Sequence, residues 1–172
     1  MVRGAAADLP EAAVWEALRG GGHVIVMRHA LAPGTGDPAE FQVDDCATQR
    51  NLSEAGREQA RRIGERLRAH GIDAARVYSS QWCRCLDTAR LLRLGEVVPL
   101  PALNSFFRDR STAAAQTAAV RAFLGAEAGE GLLVLVTHQV NITALTGVYP
   151  ASGEMVVLRS QGDGLTVVGR LP

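Results

Sequence analysis

The segment HVIVMRHA, residues 23–30, constrains the fold more than any other part of the chain. Val24, Ile25, Val26 and Met27 form an uninterrupted apolar run, short enough for a strand buried on both faces. It runs straight into Arg28 and His29, and burying either charge is costly. The next residues carry Pro33, Gly34, Gly36 and Pro38 and cannot prolong the strand. The same construction recurs at GLLVLVTH, residues 131–138, where an apolar run ends in Thr137 and His138. A chain that ends two core strands this way sets those polar groups on a rim.

Around these strands the pattern alternates with that of helices. Ala12, Val14, Trp15 and Leu18 predict a helix over about Glu11–Leu18, stopped by Gly20-Gly21-Gly22. Ser53 reads as the N-cap of a helix reaching about His70, with Gly71 as its stop. Ala75–Tyr78 and Val97–Val98 predict short strands, and SSQWCRCLDTARLL a turn leading into a helix. An alanine-rich helix is expected over about Thr112–Leu124 and a short helix or turn over Asn141–Thr146. EMVVLRSQGDGLTVVGRL has two β-rich arms around Gly162-Asp163-Gly164, hence a hairpin. The alternation predicts an α/β fold: a three-layer sandwich with a mostly parallel central sheet, helices on both faces and the hairpin at one edge. No linker or repeat divides it, so residues 1–172 are expected to form one domain. The aperiodic stretch 31–51 is long for a passive connection and is expected to be functional.

Composition narrows function by exclusion. With 18 basic and 18 acidic residues, the net charge is zero, and nothing draws the chain to nucleic acid or an acidic membrane. No run is long or apolar enough to cross a bilayer. All 18 basic residues are arginine, so neither a Schiff-base lysine nor a P-loop is present. Cys46, Cys83 and Cys85 are too few for a disulfide scaffold and lack the paired spacing of a zinc site. The N-terminal MVRGAAADLPEAAVWEALRGGG lacks the apolar centre of a signal peptide. The compartment stays open: cytoplasmic by default, periplasmic if an upstream signal peptide has been removed.

In open α/β sheets, ligands bind beyond the carboxyl ends of the strands. Arg28 and His29 fall there on the first strand, and Ser79 and Ser80 on the second, with Arg84 one turn further on. Thr137 and His138 end a later strand. One strand-end histidine is ordinarily structural, but two histidines and two arginines on one rim point to chemistry. Arginine presents planar, permanently charged donor pairs that match phosphate oxygens. Histidine attacks phosphorus or donates a hydrogen bond near neutral pH. The rim reads as a phosphate pocket containing a nucleophile.

VMRHA, RNLSEAGREQA, YSSQWCRCLDTA and VLVTHQVNITALTG, in that order, resemble motifs of the histidine phosphatase superfamily, the phosphoglycerate-mutase-like proteins. The resemblance covers about residues 23–147. THQVNITALTG and WCRC are most similar to small bacterial members related to lipopolysaccharide-core heptose phosphate phosphatases. The resemblance implies a phosphotransfer without metal or other cofactor, in which His29 is transiently phosphorylated. It places Arg28, Arg84 and His138 on the phosphoryl oxygens and implies a small phosphorylated partner such as a sugar phosphate; the oligomeric state stays open. Ala30 stands where the family usually has glycine. The family often takes its proton donor from the loop after the arginine helix. There LNSFFRDRS offers Asp109, which otherwise reads as a solvated loop charge. Glu96 reads as structural, and Asp87 as a partner of Arg90.

Gln139 is expected to line the pocket, and Arg50 either to touch substrate or to form a surface ion pair. Asn141 is expected to cap the helix after His138, the alternative being a contact to the phosphate. His23 and His70 read as structural, the latter suiting a helix C-terminus. Trp82, Phe106 and Phe107 either wall the mouth of the site or belong to the core. Cys46 either bridges to Cys83 or Cys85, or all three thiols are free. Four functions fit: hydrolysis of a phosphate monoester, dephosphorylation of protein phosphohistidine, a mutase transfer, and non-catalytic phosphate binding. A chain of 172 residues leaves little room for the closing segments of a mutase. The complete set Arg28, His29, Arg84 and His138 argues against loss of catalysis.

Overall fold

Side-chain alternation along the central strands sets the layers of the computed structural model, which describes residues 8–127, 129, 131–162 and 164–172. In β1 (His23–Arg28), Ile25 and Met27 join one core cluster and Val24 and Val26 the other. In β4 (Leu133–Thr137), Val134 and Val136 likewise oppose Leu133 and Leu135. Both faces therefore need apolar cover, which is why neither strand alternates with polar residues. On one face α1 (Glu11–Arg19), α2 (Glu54–Ala69) and α3 (Cys83–Leu92) supply it through Trp15, Leu18, Leu67 and Leu92. On the other, α4 (Ala113–Glu127) and α5 (Gln139–Thr146) supply Val120, Leu124, Ile142 and Leu145. Each such side chain, fully buried, stabilises the fold by about 1.5–3 kcal/mol before entropy is counted.

The remaining strands are β2 (Arg76–Ser79), β3 (Val97–Pro99), β5 (Met155–Gln161) and β6 (Gly164–Leu171). The sheet has the order β3-β2-β4-β1-β5-β6. Its first four strands are mutually parallel, and β5 and β6 form the antiparallel hairpin at the edge, β5 pairing with β1. This is the three-layer α/β architecture that the sequence pattern implies. Of the expected turn Gly162-Asp163-Gly164, Asp163 lies outside the described residues, as do residues 1–7 of the N-terminal segment. Among the described residues no helix is long and apolar enough to cross a membrane.

Two local features position the site. Ser53 Oγ accepts from Gly56 N at 3.0 Å and starts α2 as expected. A Cβ on Gly56 would lie 2.0 Å from the Leu31 carbonyl oxygen, so α2 rests directly on the backbone leaving β1. The second feature corrects the sequence reading: α5 begins at Gln139, with His138 itself in the N-cap position. Asn141 is inside the helix, its Nδ2 donating to Asn104 O at 2.9 Å, and caps nothing. The end of β4 fixes where the helix starts, leaving no connecting residues for a capping side chain to occupy.

Candidate active site

The ends of β1 and β4 and the start of α3 converge on one cavity of about 260 Å³. His29 follows β1 and is 2% exposed, its backbone N–H donating to Thr137 O at 3.0 Å. Ring Nδ1 lies 2.8 Å from Ala30 O and donates to it, which leaves the lone pair on Nε2. Arg84 Nε donates to that lone pair at 3.2 Å. Burial is the main cause holding the His29 pKa down, to about 3; the Ala30 carbonyl opposes this, and Arg84, Arg28 and Arg50 reinforce it. The ring is neutral at physiological pH and its free nitrogen faces a guanidinium. Ala30 is fully buried, its N–H donating to Thr88 Oγ1 at 3.0 Å, so a methyl group fits where the family has glycine.

His138 is buried at the end of β4, with ring centroid 5.5 Å from that of His29. Its Nε2 shares a 2.8 Å hydrogen bond with Ser80 Oγ, which follows β2, and lies 3.5 Å from Cys85 Sγ. Burial pushes its pKa well below the usual histidine value, helped by His29 and the surrounding arginines. Burial also pushes the Cys85 thiol up to about 12, so it sits there uncharged. Arg28 donates through Nη1 to Pro150 O at 3.1 Å. Its Nε is buried and has no partner among the described residues, a donor without an acceptor at the cavity wall.

The other wall comes from residues 31–51. Asp37, Phe41 and Arg50 line the cavity from it. Arg50 is not a surface ion pair: it binds the carbonyls of Gly36 (2.6 Å) and Ala32. Asp37 accepts from Arg84 Nη1 at 2.8 Å and Nη2 at 3.1 Å, and from Trp82 Nε1 at 3.1 Å. Burial raises the Asp37 pKa, but the Arg84 hydrogen bonds and charge outweigh it and hold the carboxyl below its usual range. Cys46 is joined to Cys83, next to Arg84, by a disulfide, and Cys85 is the free thiol.

Of the residues singled out in the sequence, Arg28, His29, Arg50, Arg84, His138 and Gln139 all line the cavity. Trp82 and Phe107 do too, whereas Phe106 is buried in the core. Asp109 does not line it. Its carboxylate is solvent-exposed and accepts from Ser111 N at 3.0 Å, capping the short turn Arg110–Thr112. That hydrogen bond lowers its pKa, opposite to what a proton donor needs. Asp37 escaped the sequence reading, and Ser80 was placed on the rim without its hydrogen bond to His138. Asp37 carries no periodic signal, and only the length of its loop marked the region.

Residues 24–106 match the family model described as "Histidine phosphatase superfamily (branch 1)". Just under half of the chain is thus similar to this superfamily. No curated protein matches it significantly. Among solved structures of the superfamily's fold, the protein histidine phosphatase SixA complexed with tungstate superposes with a TM-score of 0.59 at 16% identity, covering 87% of this chain and 96% of that one. The mycobacterial glucosyl-3-phosphoglycerate phosphatase complexed with VO3 gives 0.60 at 20% identity, covering 80% and 92%. Bacillus stearothermophilus YhfR gives 0.62 at 18% identity, covering 86% and 95%.

Proposed function

We propose that this chain is a histidine phosphatase superfamily member that hydrolyses a small phosphate monoester through a phosphohistidine on His29. The observation that carries the reading is the neutral His29 ring, its Nδ1 bound to Ala30 O and its Nε2 facing the Arg84 guanidinium. In-line attack by Nε2 on phosphorus forms the N–P bond as the ester P–O bond breaks, and the leaving oxygen takes its proton from solvent water. Water then attacks phosphohistidine and returns the ring. Arg28 and Arg84 meet the charge on the equatorial oxygens, and the neutral His138 adds a polar contact. These donors take anionic oxygen directly, so no metal is assigned a role. Phe41, Trp82 and Phe107 wall the cavity beyond the phosphate position and suit a small organic group such as a sugar.

A second reading has its own support. Asp37 is the only carboxylate lining the cavity among the described residues, and Arg84 holds it. A leaving group that needs little protonation is therefore favoured, which includes the imidazole of phosphohistidine in a protein. Hydrolysis of a sugar phosphate, p-nitrophenyl phosphate and a phosphohistidine peptide, each with chelator present, tests both readings. Turnover of at least one substrate in chelator, and none by His29→Ala, is the expected result. Activity that chelator abolishes and magnesium or zinc restores contradicts the mechanism. The disulfide supports an oxidising compartment such as the periplasm; a single alkylatable thiol in freshly purified protein is expected, and three would contradict it.

A further inference from the structure

We propose that Asp37 is a positioning residue that aims Arg84 at the phosphoryl group, and not the proton donor of the reaction. This rests on the phosphatase reading above. A guanidinium has two forked edges, one formed by Nη1 and Nη2 and the other by Nη2 and Nε. Asp37 takes the first edge with both oxygens, at 2.8 and 3.1 Å. The Arg50 carbonyl takes the remaining hydrogen of Nη1 at 3.2 Å. The second edge is thereby turned toward His29, where Nε meets Nε2 at 3.2 Å. A phosphoryl group arriving at Nε2 finds two parallel N–H donors already oriented for two of its oxygens. With Arg84 3% exposed and Asp37 13%, the pair has little room to rotate.

The surroundings of Asp37 argue against acid catalysis. An ionised carboxylate accepts about four hydrogen bonds. Asp37 receives four: two from Arg84, one from Trp82 Nε1 at 3.1 Å and one from Arg50 N at 3.1 Å. No oxygen is left over to carry a proton toward a leaving group. Its backbone is set with equal care, since Gly36 before it has a φ of 70° and Pro38 follows it. The Gly36 carbonyl is in turn held by Arg50 Nε at 2.6 Å.

The test is steady-state kinetics of wild type, Asp37→Asn and Asp37→Ala on p-nitrophenyl phosphate and on an alkyl phosphate, with folding checked by circular dichroism. Misplacing Arg84 costs about 10²-fold in kcat. Both variants are expected to lose that much on both substrates, because the loss lies in phosphoryl stabilisation and not in the leaving group. Added formate, which can occupy the vacated edge of Arg84, is expected to restore part of the activity of Asp37→Ala and none in Arg84→Ala. Asp37→Asn, nearly isosteric, keeps the test open if the alanine variant does not fold. Unchanged kcat, a loss that formate leaves untouched, or a loss confined to the alkyl phosphate overturns the assignment; the last would make Asp37 the acid. A wild type that turns over neither substrate overturns the phosphate-monoester reading itself, and this assignment with it.

Discussion

The two walls of the cavity are built on different principles. Arg28, His29 and His138 leave the ends of β1 and β4, which are paired with each other and with a further strand on their outer sides. Their positions are properties of the sheet and its two buried faces. The facing wall, residues 31–51, contains only a three-residue 3₁₀ turn, Cys46–Thr48, and an isolated bridge between Gln42 and Asp45. It is held by single attachments: Gln49 Oε1 accepting Cys83 N at 2.9 Å, Arg50 on the Gly36 and Ala32 carbonyls, and the Cys46–Cys83 disulfide. The difference teaches that the nucleophile and the aim of the phosphate donor are secured independently. Arg84 is where they meet, bonded to His29 on one edge and to Asp37 on the other.

Breaking the staple of the loop wall should have the largest effect on stability. The bridged cysteines are 37 residues apart, for which the chain-entropy model gives about 4 kcal/mol. Urea unfolding of Cys46→Ser/Cys83→Ser should show a loss of that order. The sheet-borne wall should persist, so the folded variant still forms a phosphoenzyme. A variant as stable as wild type would mean that the non-covalent contacts alone hold the loop.

Next comes the residue shared by both walls. Arg84→Ala should lose roughly 10²–10³ in kcat, the usual cost of removing one preorganised donor. A much smaller loss would mean that Arg28 and His138 suffice and that the loop wall has little bearing on the chemistry.

The strand-borne wall has a pH signature of its own. In the unfolded chain His29 and His138 take up protons below about 6.5, whereas in the folded protein both are held neutral, His29 down to about 3. The unfolded state binds more protons, so stability falls as pH drops below 6.5, by up to about 1.4 kcal/mol per pH unit for each histidine. Unfolding free energies between pH 6.5 and 5 should show this slope, and His138→Gln should remove about half of it. A flat profile would mean that neither ring is held neutral.

Legibility in the sequence followed the same division. Short apolar runs ending in Arg28-His29 and Thr137-His138 announce both the parallel sheet and the strand-borne half of the site, because burial on two faces leaves an unmistakable local pattern. The loop-borne half depends on pairings distant in sequence, Asp37 with Arg84 and Cys46 with Cys83, and no local period records them. Asn141 was misread because capping preference is a local statistic, while the start of α5 is set by the strand before it. Asp109 stays open in the sequence between proton donor and loop charge because a carboxylate flanked by arginines gives no sign that its own turn engages it. The smallest effect belongs there: Asp109→Asn should change kcat less than about twofold on any leaving group, against the 10²–10⁴-fold of a true general acid. A large loss on an alkyl phosphate alone would restore it as the proton donor.

The central claim, that the neutral ring at the end of β1 is the nucleophile, is tested most directly by trapping the intermediate. Wild-type protein and His29→Ala are mixed with labelled substrate, quenched within milliseconds in base, and analysed for protein-bound phosphate by mass spectrometry of the peptide spanning residues 23–36. The account predicts an acid-labile, base-stable phosphate on His29 in the wild type and none in the variant. Phosphate on another residue, or turnover by His29→Ala at the wild-type rate, would contradict it.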